Sequence, residues 1–356
     1  MKKVFPFAVL LLIVACHKPC LPPPVPPVIE QSPHAKIHVE VASSNLPSHT
    51  IKVSQTSKIN SVELLNFKIN ATGGAVHFDE FPITLQSGGS SLSKLVDKLT
   101  LVIDGHSYDE DVPNSTAGGR TIVFDDMHIT IDKDQFISCG VYADINSLQS
   151  GFNEGDWLMA FIPHDALLAT PVIDINRDLL PDSSKIGAAF GEMVIFRTKG
   201  VIVKMSDASF GQTTSTDGSV TSVTYTIPVA VTSFGSTLYV GQSAQLSSSV
   251  SGTNAFAVTF RNRADSLMDD IVSSGAITMT SVDAPTDGQG FRLDDGATKH
   301  FVITATLITP HALNSNYCVQ LKEIQVFANA NLTNGAIVSG LFPENNFRTR
   351  YQFINN

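Results

Sequence analysis

The sequence predicts an all-β protein of two tandem, duplicated, antiparallel β-sandwich domains, on three observations. Short apolar runs alternate with a period of two, turn-forming residues punctuate them, and the pattern returns about 160 residues later. Alternation over four to eight residues puts one strand face on a core and the other in water. Many such strands at short spacing build a sandwich or barrel. Composition agrees. Hydrophobic residues make up 43% of the chain, enough for real cores, while charged residues are only 16%. Ser, Thr, Asn and Gly fill the polar positions, which suits sheet faces and turns better than helix surfaces. The formal net charge of −10 comes with no basic patch, so nucleic acid is not an expected partner.

The chain opens with Lys2 and Lys3, then an apolar run of eleven residues, Val4 to Val14, broken only by Pro6. A basic head, a short apolar core and a small-residue ending make residues 1–15 a secretory signal. The run falls well short of the roughly 20 residues that span a bilayer as a helix. Its ending, Ile13-Val14-Ala15-Cys16, resembles the lipobox of bacterial lipoproteins. That resemblance implies cleavage before Cys16 and acylation of its thiol, which would anchor the chain to the outer face of a bacterial membrane. The plain alternative is an ordinary signal cut nearby, with Cys16 incidental. Residues 16–35 carry Pro22, Pro23, Pro24, Pro26, Pro27 and Pro33, a density that favours polyproline II at about 3.1 Å per residue. This tether also holds Cys20. His34 and His38 at its end lack a third ligand and read as a solvated pair.

From Lys36 the strand texture begins, with Ile37-His38-Val39-Glu40-Val41, Leu65 to Ile69, Leu99 to Ile103 and Ile129 to Ile131. Ala71-Thr72-Gly73-Gly74, Asp104-Gly105 and Pro113-Asn114-Ser115 supply the turns between them. Helix candidates are short: Ser91 to Val96 and Ala264 to Val272. The duplication is explicit. Val141, Ala143 and Ile145 follow Ile131-Asp132 at the spacing with which Ile303, Ala305 and Leu307 follow Leu293-Asp294, and the offset is 162 residues. Phe196-Arg197-Thr198 returns as Phe347-Arg348-Thr349 at the smaller offset of 151, so the first copy should hold extra residues, placed around Asp174 to Ser184. Domain 1 is therefore expected over 36–199 and domain 2 over 200–356, with little linker.

Thr232-Ser233-Phe234-Gly235 with Leu238-Tyr239-Val240, Val141-Tyr142-Ala143-Asp144-Ile145 and the closing Phe347-Arg348-Thr349 resemble tandem immunoglobulin-like β-sandwich modules of predicted bacterial surface proteins from small-genome uncultured bacteria. The resemblance spans most of 36–356 and rests on core and turn positions. It implies structural or adhesive work, and it brings no catalytic residues with it.

The best candidate for a ligand is Asp174-Ile175-Asn176-Arg177-Asp178, continued to Asp182. Alternate oxygen side chains on a turning loop match the order that wraps Ca2+. Asp174, Asn176, Asp178 and Asp182 are the candidate Ca2+ ligands. Leu179 stands where such loops carry Gly and Lys185 where they carry Glu, so an acidic loop shaped by Asx turns is the competing reading. Asp104, Asp109, Glu110 and Asp111, with His106 and Tyr108, form a second acidic stretch, and Asp125, Asp126 and His128 a third. Paired carboxylates hydrolyse glycosides only when they flank a cleft, and nothing in the sequence fixes that. No G-x-S-x-G elbow, zinc-helix or P-loop motif is present. Cys139 and Cys318 read as buried, reduced thiols, and Trp157 as a core anchor. The expectation is a non-enzymatic, lipid-anchored surface protein whose partner is another surface protein or a glycan. The alternatives are a glycan- or peptide-binding module, for which Tyr239, Phe256 and Phe260 would form an exposed cluster, and an unrecognised hydrolase.

Overall fold

The computed structural model describes residues 35–46, 48–113, 118–214, 217, 220–264, 277–308, 315–333, 338–341 and 347–354. The signal segment, Cys16, Cys20, the Pro-rich tether up to Pro33 and His34 lie outside the described residues, as does most of the helix expected at 264–272. Residues His34–Asn356 form one compact unit.

The first half contributes β1 (Lys36–Val41), β2 (His49–Lys52), β3 (Ile59–Thr72), β4 (Val76–Phe78), β5 (Phe81–Gly88), the one-turn helix α1 (Leu92–Leu95), β6 (Val96–Ile103) and β7 (His106–Asp111). It continues with β8 (Gly119–Phe124), β9 (Ile129–Ile131), β10 (Phe136–Ile145), β11 (Trp157–Ile162), α2 (His164–Ala169), β12 (Val172–Asp174), β13 (Lys185–Phe190) and β14 (Val194–Arg197). The second half holds β15 (Gly200–Met205), β16 (Ser209–Thr214), β17 (Val220–Phe234), β18 (Leu238–Gly241), β19 (Ala244–Leu246), β20 (Phe256–Asn262) and β21 (Ile277–Ser281). It ends with β22 (Thr286–Asp287), β23 (Gly290–Leu293), β24 (Thr298–Ile308), β25 (Ser315–Phe327), β26 (Val338–Leu341) and β27 (Gln352–Ile354). The fold is all-β. α1 falls inside the expected Ser91–Val96 segment, whereas α2 had no sequence signal.

Each half closes on its own core. In the first, alternate residues of β3 (Leu65, Phe67, Ile69), β6 (Leu99, Leu101, Ile103) and β10 (Val141, Ala143, Ile145) face those of β5 (Phe81, Ile83, Leu85) and β11 (Leu158, Ala160, Ile162), all essentially buried. Phe67 and Phe81 stack across the gap with ring centroids 5.8 Å apart. In the second, Val223, Tyr225 and Ile227 of β17 and Ile303, Ala305 and Leu307 of β24 face Val258 and Phe260 of β20 and Val319 and Leu321 of β25. No described strand of one half pairs with a strand of the other.

The repeat is visible bond by bond. The Ala71 N–H donates to the Gln135 carbonyl, and the Asp134 N–H to that of Ala71. At offset 162, the Ser233 N–H donates to Ala297 and the Gly296 N–H to Ser233. Asp134 and Gly296 both hold positive φ, 60° and 75°, as do Gly73 and Gly235, 77° and 84°. The extra residues of the first copy sit elsewhere than expected. Val172 faces Phe78 as Val326 faces Val240, an offset already reduced to 154, so most of the surplus lies upstream of the Asp174–Ser184 loop. The second copy runs as one long strand, β25, where the first is interrupted by α2.

The sheets are also not purely antiparallel. β1 pairs parallel with β13, β2 with β14, and β19 with β20. A parallel pair needs a crossover; the intervening strands of the first half provide it for β1–β13 and β2–β14, whereas β19 and β20 are joined only by the loop 247–255.

Candidate functional site

β12, β4 and β9 make a three-stranded sheet at one side of the first half. Val76, Phe78, Val172 and Ile131 turn inward and are buried, which leaves Ile173, His77 and Thr130 abreast on the outer face. Successive side chains of a strand alternate in direction, so Asp79, two residues beyond His77, points the same way. The turn from β8 to β9 then brings up a third group. Its Met127 is buried, its N–H donates to the Asp79 carbonyl at 2.9 Å, and its own carbonyl accepts from the Tyr108 hydroxyl at 3.1 Å. Asp126 and His128, on either side, take left-handed φ of 52° and 51°. That conformation is uncommon outside glycine, and here it aims the His128 ring at Asp79.

The resulting cluster is compact. Asp79 Oδ1 lies 3.0 Å from His77 Nε2 and 2.7 Å from His128 Nδ1. His77 Nδ1 meets Thr130 Oγ1 at 3.1 Å. One donor atom from each of His77, Asp79 and His128 falls within 4.8 Å of the other two, the only such group of three or more His, Cys, Asp or Glu among the described residues. The hydrogen bond from His128, ahead of the charge and hydrogen bond of His77, holds the Asp79 carboxyl below the usual carboxylate range.

The Asp174 loop is organised differently. The Asp174 carboxylate accepts the backbone N–H of Asn176 at 2.8 Å and of Asp178 at 3.0 Å, and the Asn176 side-chain amide at 3.2 Å. The Asp174 N–H in turn donates to the Asp178 carbonyl at 2.9 Å. This is an Asx-type turn whose carboxylate is engaged by its own loop, and Asp178 and Asp182 do not converge with Asp174 into a three-carboxylate group. Asp174→Ala should therefore lower stability by about 1 kcal/mol through the loss of these bonds. Urea unfolding with and without millimolar Ca2+ checks it: the same deficit in both buffers marks a structural turn, and a deficit that widens with Ca2+ marks a bound ion.

The remaining sequence candidates separate. In β7, Tyr108 and Glu110 lie opposite Leu101 and Leu99, while Asp109 and Asp111 lie on the other face opposite Thr100 and Lys98. Asp109 accepts from Thr100 Oγ1 at 2.6 Å and from Lys98 Nζ at 2.9 Å, in that order the causes that keep its carboxyl low. Desolvation pushes Glu110 up, with Asp125 next in effect. Asp104 forms the β6–β7 hairpin tip with Gly105, at φ 49° and 80°, the Asp-Gly turn that matches strand twist. Cys139 and Cys318 are buried thiols, and burial pushes the Cys139 thiol up, which leaves it inert.

Two expectations are overturned. Trp157 is not a core anchor: it shares the half-exposed face of β11 with Met159 and lies over Gly88, its partner in β5. Phe256 and Phe260 are fully buried and Tyr239 is half-buried, so the three form no exposed aromatic cluster. The groups that sequence patterning did not single out are His77 and Asp79. An x-His-x-Asp strand end was the available signal, but only the β4–β9 register brings it to His128.

These features define the class: a duplicated all-β chain whose sharpest polar constellation sits on an outer sheet face. No protein-family model matches the sequence, and no curated protein matches it. Among solved structures, the chain is similar to the C-terminal domain of the antigen I/II polypeptide BspA of Streptococcus agalactiae, at 9% identity over 91% of this chain and 100% of that one, TM-score 0.21. It is similar to the C-terminal domain of the antigen I/II-family protein AspA of Streptococcus pyogenes, at 8% identity over 91% and 100%, TM-score 0.21. A third is a chain of a complex between a variant of CaDoc0917 and CaCohA2, at 11% identity over 45% and 99%, TM-score 0.21.

Proposed function

We propose that the protein is exported and lipid-anchored through Cys16, and that its two β-sandwich modules do structural or adhesive work at the cell surface on a Pro-rich stalk. The observation that carries this reading is the pairing of the first half's terminal strands. β1 lies parallel to β13 in the register Ile37↔Lys185 to Glu40↔Ala188, and β2 lies parallel to β14 from His49↔Val194 to Lys52↔Arg197. A pull on the anchored end against the far end slides parallel neighbours past each other. Their hydrogen bonds then share the load and must fail together, whereas a terminal hairpin would open one bond at a time. This arrangement suits a module held under tension.

A peptide-binding role has one observation in its favour. β16 is an edge strand paired with β17 alone among the described residues, exposed at every position and without charge or proline. Edges left unguarded in this way accept an added strand.

Membrane fractionation tests the anchor. Cys16→Ser should fold normally but move from the membrane fraction to the soluble one. A variant that stays with the membrane would end the lipid-anchor reading. On intact cells, added protease should cut the wild-type protein.

A further inference from the structure

We propose that His77, Asp79 and His128 bind one divalent cation of the Zn2+ class, through His77 Nε2, His128 Nδ1 and the Asp79 carboxylate, with the fourth position left to water. Tetrahedral Zn2+ with bonds of about 2.0–2.1 Å places neighbouring donor atoms about 3.3–3.4 Å apart. The two nitrogens already address one carboxylate oxygen at 3.0 and 2.7 Å, so a cation enters if these contacts open by about 0.3–0.7 Å and the two nitrogens, within 4.8 Å of each other, adjust to the same spacing. All three side chains are partly or largely exposed and have room to do so.

The second nitrogen of His77 suits this use. Thr130 Oγ1 lies 3.1 Å from Nδ1 and can accept its proton, which frees Nε2 to ligate a cation in place of its hydrogen bond to Asp79. A polar group fixing the far nitrogen of a ligating imidazole is the usual outer-shell device. Two imidazoles and one carboxylate suit Zn2+ and its first-row neighbours. Ca2+ and Mg2+ require more oxygens than the cluster offers.

The duplication supplies an internal control. The second copy repeats the strand register of this site: Leu238↔Leu293 and Val240↔Phe291 pair as Val76↔Ile131 and Phe78↔Ile129 do, although Gly290, in the place of His128, does not share its left-handed φ. At the positions of His77, Asp79, His128 and Thr130 it carries Tyr239, Gly241, Gly290 and Arg292. The sheet therefore forms without any of the four side chains. Their convergence in the first copy is not a requirement of the fold, and the left-handed φ of His128 is strain retained at a site where side-chain direction matters.

Calorimetric titration of chelator-treated, full-chain protein with ZnCl2 should show one equivalent bound, with no response to CaCl2 or MgCl2. CoCl2 should give visible absorption that ZnCl2 displaces. The double variant His77→Tyr, His128→Gly places the second copy's own residues in the first and so keeps the fold. It should bind Zn2+ at least a hundredfold more weakly, and Thr130→Val about tenfold more weakly. Wild-type protein that takes up no Zn2+, or a folded double variant that binds it as tightly as wild type, would overturn the proposal.

Discussion

Gly187→Ala is expected to cost at least about 4 kcal/mol, at the far end of single-substitution effects. Two causes add. Gly187 holds φ +95°, a region that charges an L-residue about 1–2 kcal/mol, and an added Cβ would lie 2.0 Å from the Val39 carbonyl oxygen. That oxygen belongs to β1, whose Ile37 and Val39 are fully buried, so the backbone cannot retreat without opening the parallel β1–β13 pairing. Two other glycines separate the causes. Gly105 has φ +80° with nothing within 4 Å of where an added methyl would stand, and Gly211 lies in an exposed strand with equal room. Gly105→Ala should lose about 1–2 kcal/mol from the dihedral alone, and Gly211→Ala should be neutral or gain up to about 1 kcal/mol. Denaturant midpoints rank the three. A Gly187→Ala loss no larger than that of Gly105→Ala would mean that β1 yields.

Phe67→Ala should remove about 3–5 kcal/mol from the first core and leave the second untouched. The ring is fully buried and stacks on Phe81 from the facing layer, so its loss leaves a cavity between two layers that can collapse only partly. At about 2–4 °C per kcal/mol for units of this size, one calorimetric transition should fall by about 10 °C while a second stays in place. Phe260→Ala, in the core built around Tyr225, should do the reverse. These transitions decide whether 36–199 and 200–356 unfold as separate domains. If both substitutions move one common transition, the two cores are a single cooperative unit.

How far the sequence was legible follows from the range of each interaction. The duplication could be read because equivalent residues, such as Val141 and Ile303 or Asp132 and Asp294, must solve the same local problem in both copies. The Asp104-Gly105 hairpin was legible for the same reason: a tight turn is specified by its own residues. Trp157 was misread because Trp157-Leu158-Met159-Ala160-Phe161 is apolar at every position, so the pattern does not say which phase faces the core. Leu158 and Ala160 take the interior, and the indole covers the bare backbone of Gly88. The parallel β1–β13 pair, and the meeting of His77 and Asp79 with His128, depend on register between distant segments, which no local spacing encodes. The oxygens of the Asp174 loop alternate as Ca2+ ligands do, and the same alternation serves an Asx turn equally well.

The pairing of β1 also sets an order of assembly. A chain made from its N-terminus produces β1 first, but the parallel neighbour that flanks it, β13, does not exist until residue 190 has been added. Until then Ile37 and Val39 have β3 on one side and nothing on the other, and the first core stands open along that seam. Closure spans nearly 150 residues of chain, so the slow, non-local step in folding comes at the end of the first half rather than its beginning. A ribosome that paused before β13 would hold a sandwich with an unsealed edge, ready to pair with any strand that reached it first.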